Sequence, residues 1–248
     1  MKRIIAGPNQ VVEAISAGVT IQVLYLQSGL AQKTASKLFS LASRHHIKTQ
    51  SVTRQHLEEM ARDLNHQGVV AVCGEFQYRA LETLLSEIDK TTRQPLLVIL
   101  DQIQDPGNLG AILRSSHSLG AHGVIITKDR SAQVTAATVR ASAGASELIP
   151  VVRIVNLVST IQQLQQDGFQ VLGADMDGAI SLDEVEWPSK TAIVLGNEGK
   201  GIRKLTRENC DLVFKIPMAN SFESLNVSAS AAIVLYEHQR SRRLCVRL

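Results

Sequence analysis

Continuous apolar runs alternate with helix-patterned stretches through the later part of the chain. Leu96-Leu97-Val98-Ile99-Leu100 is the first, and similar runs recur at 123–126, 151–154, 170–173, 192–195 and 213–216. A strand apolar on both faces is buried on both faces, as in a parallel sheet covered by helices. Helical composition fills 108–120, 134–142, 156–167, 203–208 and 226–243. The alternation predicts an α/β layer fold with a mainly parallel sheet over 95–248. Earlier, strand-like pieces at 21–26, 47–52 and 69–73 alternate with helical stretches at 33–45 and 53–63, with Thr53 as N-cap. They form a small α/β or α+β unit over 1–74. Residues 75–94 read as a linker carrying one short helix (81–89), which the approach to Pro95 ends. There is no internal repeat and no low-complexity tract.

Composition narrows the class. The 248 residues, 44% hydrophobic, suit one large domain or two small ones. No apolar run approaches the ~18 residues that span a bilayer, and the start MKRIIAGPNQ has no apolar segment of a secretory signal. Cys73, Cys210 and Cys245 are odd in number and fit neither a disulfide framework nor a CxxC metal site. The expectation is a soluble, thiol-reduced, cytoplasmic protein with no membrane partner and no metal. Charge is uneven: residues 1–74 hold eight Lys/Arg against four Asp/Glu, and the remainder eighteen against nineteen. A basic unit beside a neutral one suggests a nucleic-acid partner, with a solvated charged face as the plain alternative.

Ligands of parallel sheets bind outside the carboxyl ends of the strands, which singles out three segments. Asp101–Arg114 contains a Pro-Gly turn and then a helix. There Asn108 reads as its N-cap, and Arg114 points away from the apolar stripe Leu109, Ile112, Leu113. On these residues alone, Arg114 could equally be a solvated helix arginine. Gly196-Asn197-Glu198-Gly199-Lys200-Gly201 follows a buried strand and matches neither a Walker A loop nor a dinucleotide fingerprint. By itself it is a tight turn with a carboxylate. Pro217–Ser228 runs into a helix apolar on nearly every side, which must be buried in the core or against a second copy. Ser224 and Asn226 could simply cap that helix.

Taken in order and spacing, the three segments closely resemble the signature of the SpoU-type RNA ribose 2′-O-methyltransferases of the SPOUT superfamily. The resemblance lies in D-P-x-N-x-G-x-x-x-R at Asp105–Arg114, L-G-N-E-G-x-G at Leu195–Gly201, and I-P-M with S-L-N-V-S at Ile216–Ser228. Lys128–Ala132 and Ala143-Gly144-Ala145 also look like the family. The resemblance implies a deep trefoil knot in the catalytic domain, an exception to the rule that connections do not thread loops. It implies a small ribosomal-protein-like RNA-binding domain before it, like that of enzymes methylating a guanosine ribose in large-subunit (23S) ribosomal RNA. S-adenosylmethionine would lie against Gly196, Ile216 and Leu225. Asn108, Arg114, Glu198, Ser224 and Asn226 would form the polar catalytic set, in a homodimer acting on RNA and not DNA. Guanidinium stays protonated to a pKa of ~12 or more, so Arg114 suits stabilising an alkoxide or gripping a phosphate at least as well as acting as a base. Transfer RNA as substrate and a non-catalytic RNA-binding role remain the alternatives. The arginines at 240, 242, 243 and 247 would touch phosphates or solvent.

Overall fold

The computed structural model describes residues 3–16, 18–62, 64–197, 199–219 and 225–245. The chain divides into two compact units: residues 1–77 with 134–148, and residues 78–133 with 149–248.

The first unit is built from β1 (Arg3–Ala6), α1 (Pro8–Ser16), β2 (Ile21–Gln27), α2 (Gln32–Arg44), β3 (Lys48–Val52), α3 (Arg54–Ala61) and β4 (Val69–Cys73). Its sheet runs β1-β4-β2-β3, with β2 and β3 parallel and the other pairs antiparallel. β4 is apolar throughout and lies inside the sheet; β3 (Lys-Thr-Gln-Ser-Val) has no fully buried residue and forms the polar edge, the arrangement that discourages edge-to-edge pairing. Thr53 caps α3 as its position predicts, its hydroxyl accepting from the His56 amide. The strand β1 and helix α1 have no counterpart in the sequence reading. Four residues give too short an alternation to register, and Pro8 starts the helix directly after a left-handed Gly7.

A second difference concerns residues 134–148. They are continuous with the later α/β pattern, and their helix α6 (Ala136–Ala141) packs on β1 within the first unit. Arg3 there donates to Glu147 at 2.8 Å, with both side chains almost fully buried, and its guanidinium lies over the Phe76 ring. Burial pushes the Glu147 carboxyl up, and Arg3 works against that shift. The adjacent Cys73 thiol is pushed up to about 11 by burial.

The second unit comprises α4 (Leu81–Thr91), β5 (Leu96–Leu100), α5 (Pro106–Ser118), β6 (Gly123–Thr127), β7 (Val151–Ile154), α7 (Leu157–Gln166), β8 (Gln170–Ala174), β9 (Ile180–Ser181), β10 (Thr191–Leu195), α8 (Lys204–Glu208), β11 (Leu212–Lys215) and α9 (Val227–Cys245). Seven strands pair in parallel in the order β7-β6-β5-β10-β8-β11-β9. β10 therefore enters between β5 and β8, and β11 between β8 and β9, in gaps left by strands laid down earlier. All of β5, β6 and β10 is buried, as the unbroken apolar runs require.

The segment read as a linker is part of this core. Leu81, Leu84, Leu85 and Ile88 of α4 pack with Leu97, Ile99, Ile125 and residues of α7. The helix lies so close that a Cβ at Gly123 would fall 2.6 Å from a Leu84 methyl. α5 and α9 pack against each other and bury Leu109, Ile112, Leu113 and Val227, Ala231, Val234, Leu235. Within one chain, α9 leaves Ile233 and Tyr236 39% and 58% exposed. Of the arginines expected at phosphates or solvent, Arg240 pairs with Glu237, and Arg242 donates to the carbonyls of Gln94 and Ser189. Arg243 is exposed, and residue 247 lies outside the described residues. No helix among the described residues is long and apolar enough to cross a membrane.

Candidate active site

The loop after β10 closes on itself. The Asn197 amide donates to the Gly201 carbonyl at 3.0 Å, and the Gly201 amide returns a bond to Asn197 at 2.8 Å. Backbone crosses directly over Gly196, where a Cβ would sit 2.1 Å from the Gly201 carbonyl carbon; only glycine fits. The Asn197 side chain accepts from the Gly199 amide and donates to the Gln102 carbonyl, tying this loop to the end of β5.

Two aspartates fix the rest. Asp101, whose carboxylate has no solvent exposure, accepts from the Arg203 amide at 3.1 Å and its Nε at 2.7 Å. A buried carboxylate is stable only when bonded this way. Asp175 accepts from the Ile202 amide at 3.0 Å, while Arg207 bridges Asp175 and Asp177.

Between these loops lies a cavity of about 740 Å³, within the range of small-molecule and cofactor sites. Its walls are the ends of four segments: Ala174–Asp177, Leu195–Asn197 with Gly199–Gly201, Lys215–Met218, and Leu225 with Val227 and Ser230. Gly196, Ile216 and Leu225, the three positions matched to the cofactor, all line it. The wall at the end of β8 was missed in the sequence. The same rule that selected the other strand ends would have found it, since Asp175-Met176-Asp177-Gly178 interrupts an apolar strand just as abruptly.

The polar residues are brought together only in part. Asn108 is not the N-cap of α5. Asp105 holds that place, accepting from the Asn108 amide at 2.7 Å, with Pro106 as the first helical residue. The Asn108 side chain instead accepts from Asn226 Nδ2 at 3.1 Å. Asn226 does cap α9, its Oδ1 accepting from the Ser228 amide at 2.9 Å. One asparagine thus joins α9 to α5 beside Leu225 and Val227 of the cavity wall. Arg114 is exposed, makes no ion pair among the described residues, and does not line the cavity. It lies ~9 Å farther along α5 than Asn108, from the rise of a helix. Glu198 and Ser224 lie outside the described residues. Cys210 has its thiol pushed up to about 12, by burial first and then by Asp211, Asp101 and Asp175, which leaves it without thiolate reactivity. Among the described residues no group of three or more His, Cys, Asp or Glu could hold a metal ion.

Comparison with known proteins bears on this arrangement. Residues 95–236 match the SpoU rRNA methylase family. The chain belongs to the SpoU methyltransferase family. Residues 4–79 match the substrate-binding domain of RNA 2′-O ribose methyltransferases. An uncharacterised tRNA/rRNA methyltransferase of Mycolicibacterium gilvum is 42% identical over 97% of this chain and 77% of its own length. YacO of Bacillus subtilis, assigned to the TrmH family of tRNA/rRNA methyltransferases, is 35% identical over 96% of this chain and 95% of its own. The crystal structure of the SpoU methyltransferase AviRb from Streptomyces viridochromogenes in complex with AdoMet superposes with a TM-score of 0.82. It shares 25% identity over 97% of this chain and 90% of that one.

Proposed function

We propose that this SpoU-family chain transfers a methyl group from S-adenosylmethionine to the ribose 2′-hydroxyl of a guanosine in large-subunit ribosomal RNA. The observation that carries the reading is the cavity, which brings Gly196, Ile216 and Leu225 onto one surface. The group fits this surface: backbone of the glycine loop and of Ile216–Met218 can bond a purine edge, and Ile216, Leu225 and Val227 offer apolar area. When bound, S-adenosylmethionine supplies an electrophilic methyl group.

The chain's own residues have the remaining tasks. The nucleophilic oxygen and the sulfonium cancel charge as they react, so alignment and removal of the hydroxyl proton matter more than strong ionic stabilisation. Arg114 offers a planar donor fork for the oxygen or the neighbouring phosphate. By the family resemblance, Asn108 and Glu198 would orient Arg114 and the loops, and Ser224 and Asn226 would hold the knot loop. Residues 1–74 supply RNA affinity through exposed cations such as Lys33, Lys37, Arg44 and Lys48. Two copies associate through the α5/α9 layer, whose exposed Ile233 and Tyr236 support an interface there and whose Arg114 would then stand beside a second chain.

Single-turnover methyl transfer to ribosomal RNA from a deletion strain, run beside calorimetric titration of the cofactor, tests this. Arg114→Ala is expected to lower transfer by ~10²-fold or more, as for other lost transition-state donors, with cofactor affinity within a few-fold of wild type. Full transfer by the variant removes Arg114 from the chemistry. A missing 2′-O-methyl group in transfer RNA of the deletion strain, with ribosomal RNA unchanged, reassigns the substrate.

A further inference from the structure

The cavity occupies only the β10, β8 and β11 side of the sheet's carboxyl edge. On the other side, the ends of β6 and β7 carry a differently built surface. The loop after β6, Lys128-Asp129-Arg130-Ser131-Ala132-Gln133, is fixed from both flanks: the Lys128 amide donates to the Ile154 carbonyl at 2.7 Å, and the Ala132 amide to Ile103 at 2.7 Å. Inside it, Gln133 Nε2 donates to the carbonyls of Thr127, Lys128 and Ser131, and the Thr127 hydroxyl bonds Ser131 Oγ and the Asp129 carbonyl. These bonds hold Arg130 at φ +55°, a region non-glycine residues seldom occupy.

Next to the loop, Arg153 of the edge strand β7 lays its guanidinium 4.5 Å from the ring centre of Tyr78. The Tyr78 hydroxyl bonds Gln133 Oε1 at 3.2 Å, and the Arg79 amide bonds the Val151 carbonyl, so the ring is fixed to both the loop and β7. Lys128, Arg130 and Arg153 are exposed and form no ion pair among the described residues. With Asp129 counted, the surface holds a net charge of +2. It is connected to the cavity by the Ala132 amide, which donates to the Ile103 carbonyl, and by the Asn197 side chain, which donates to the Gln102 carbonyl.

We propose that this surface binds the single-stranded RNA next to the nucleotide being methylated. Lys128 and Arg130 each hold a backbone phosphate, and the Arg153 guanidinium, over the Tyr78 ring, is a platform for a flanking base. Exposed cations on a fixed loop, with no carboxylate partner among the described residues, suit phosphodiesters, and a guanidinium backed by an aromatic ring suits a base face. The inference rests on the reading of the chain as an RNA methyltransferase and places part of its RNA path on the catalytic unit.

The test uses the full chain and a fluorescently labelled single-stranded fragment of large-subunit ribosomal RNA, with anisotropy measured across a salt series. The double variant Lys128→Ala/Arg130→Ala is expected to bind about tenfold more weakly. Its log–log salt slope should shrink by ~1.4, from two lost single-strand phosphate contacts. Arg153→Ala is expected to weaken binding severalfold with little change of slope, and Arg153→Lys not to restore the affinity, since an ammonium cannot stack. Lys90→Ala, an exposed cation on α4 near the amino end of β5, should change neither. Affinity and slope equal to wild type in the double variant, or full rescue by Arg153→Lys, overturn the respective halves of the proposal. Methyl transfer by wild type decides the enzymatic reading separately, because these binding measurements do not depend on it.

Discussion

The two sides of one sheet edge have been finished in opposite ways. On the β10, β8 and β11 side, backbone folds back over glycine, and buried carboxylates hold each loop to the next: Asp101 to Arg203, Asp175 to Ile202. On the β6 and β7 side the loop is equally well fixed, yet its cations reach solvent unpaired by any described carboxylate. One parallel sheet thus carries a walled cavity on one side and an open charged surface on the other. The strands set where a site can be, and the loops set its shape and charge.

Gly196→Ala should break the first side most completely. A methyl group cannot enter at 2.1 Å from the Gly201 carbonyl carbon, so the loop must open, and cofactor affinity should fall by more than ~10²-fold. RNA binding should persist. Calorimetry and anisotropy on one preparation separate the two, and loss of both would show that the sides are not independent.

Asn226→Ala is the next largest change. It removes the cap of α9 and the donor to Asn108 together. Stability should fall by ~1–3 kcal/mol and cofactor affinity by about tenfold. An unchanged melting temperature with unchanged affinity would make the asparagine dispensable.

The smallest effect on either side is expected at His238, at the opposite edge of the sheet. It is buried edge-on against Trp187 at 4.9 Å. Burial holds its pKa down to about 4, helped by Arg242 and His122. The folded imidazole stays neutral while the unfolded one takes a proton near its ordinary value, so stability is lost as pH falls from about 6.5 towards 4, by ~3 kcal/mol. His238→Gln should flatten the dependence of melting temperature on pH in that window and leave cofactor binding at neutral pH unchanged. An equally steep acid limb in the variant would place the loss elsewhere.

The elements that were legible in the sequence are those whose environment is uniform. β5, β6 and β10 are apolar without interruption because both their faces are covered, and such runs allow no other reading in an alternating chain. Boundaries set by competing residues were harder. Asp105 and Asn108 are both good caps, and only Pro106 in the first helical position decides for the aspartate. That Gly196, Ile216 and Leu225 line one cavity agrees with motif order, whereas the Asn108–Asn226 bond spans 118 residues of sequence and leaves no local signal. The same holds for residues 134–148, whose partner strand β1 lies more than a hundred residues earlier, with Arg3 and Glu147 separated by 144 positions. α9 looked apolar on every side because a helix with one face in the core and an apolar residue or two on another has the same composition as a fully buried one.

The order in which the strands enter the sheet has a consequence for the chain as it is made. β5 and β8 cannot become neighbours of β10 until residue 195 exists, and β11 reaches its place between β8 and β9 later still. Ribosomal synthesis, at ~5–20 residues per second, therefore leaves a gapped sheet with apolar strand edges exposed for several seconds. Such long-range parallel pairing is also slow to form. Because two of the cavity walls follow β10 and β11, a truncated product ending before them has no place for the small ligand, and binding competence doubles as proof that synthesis reached the end of the fold.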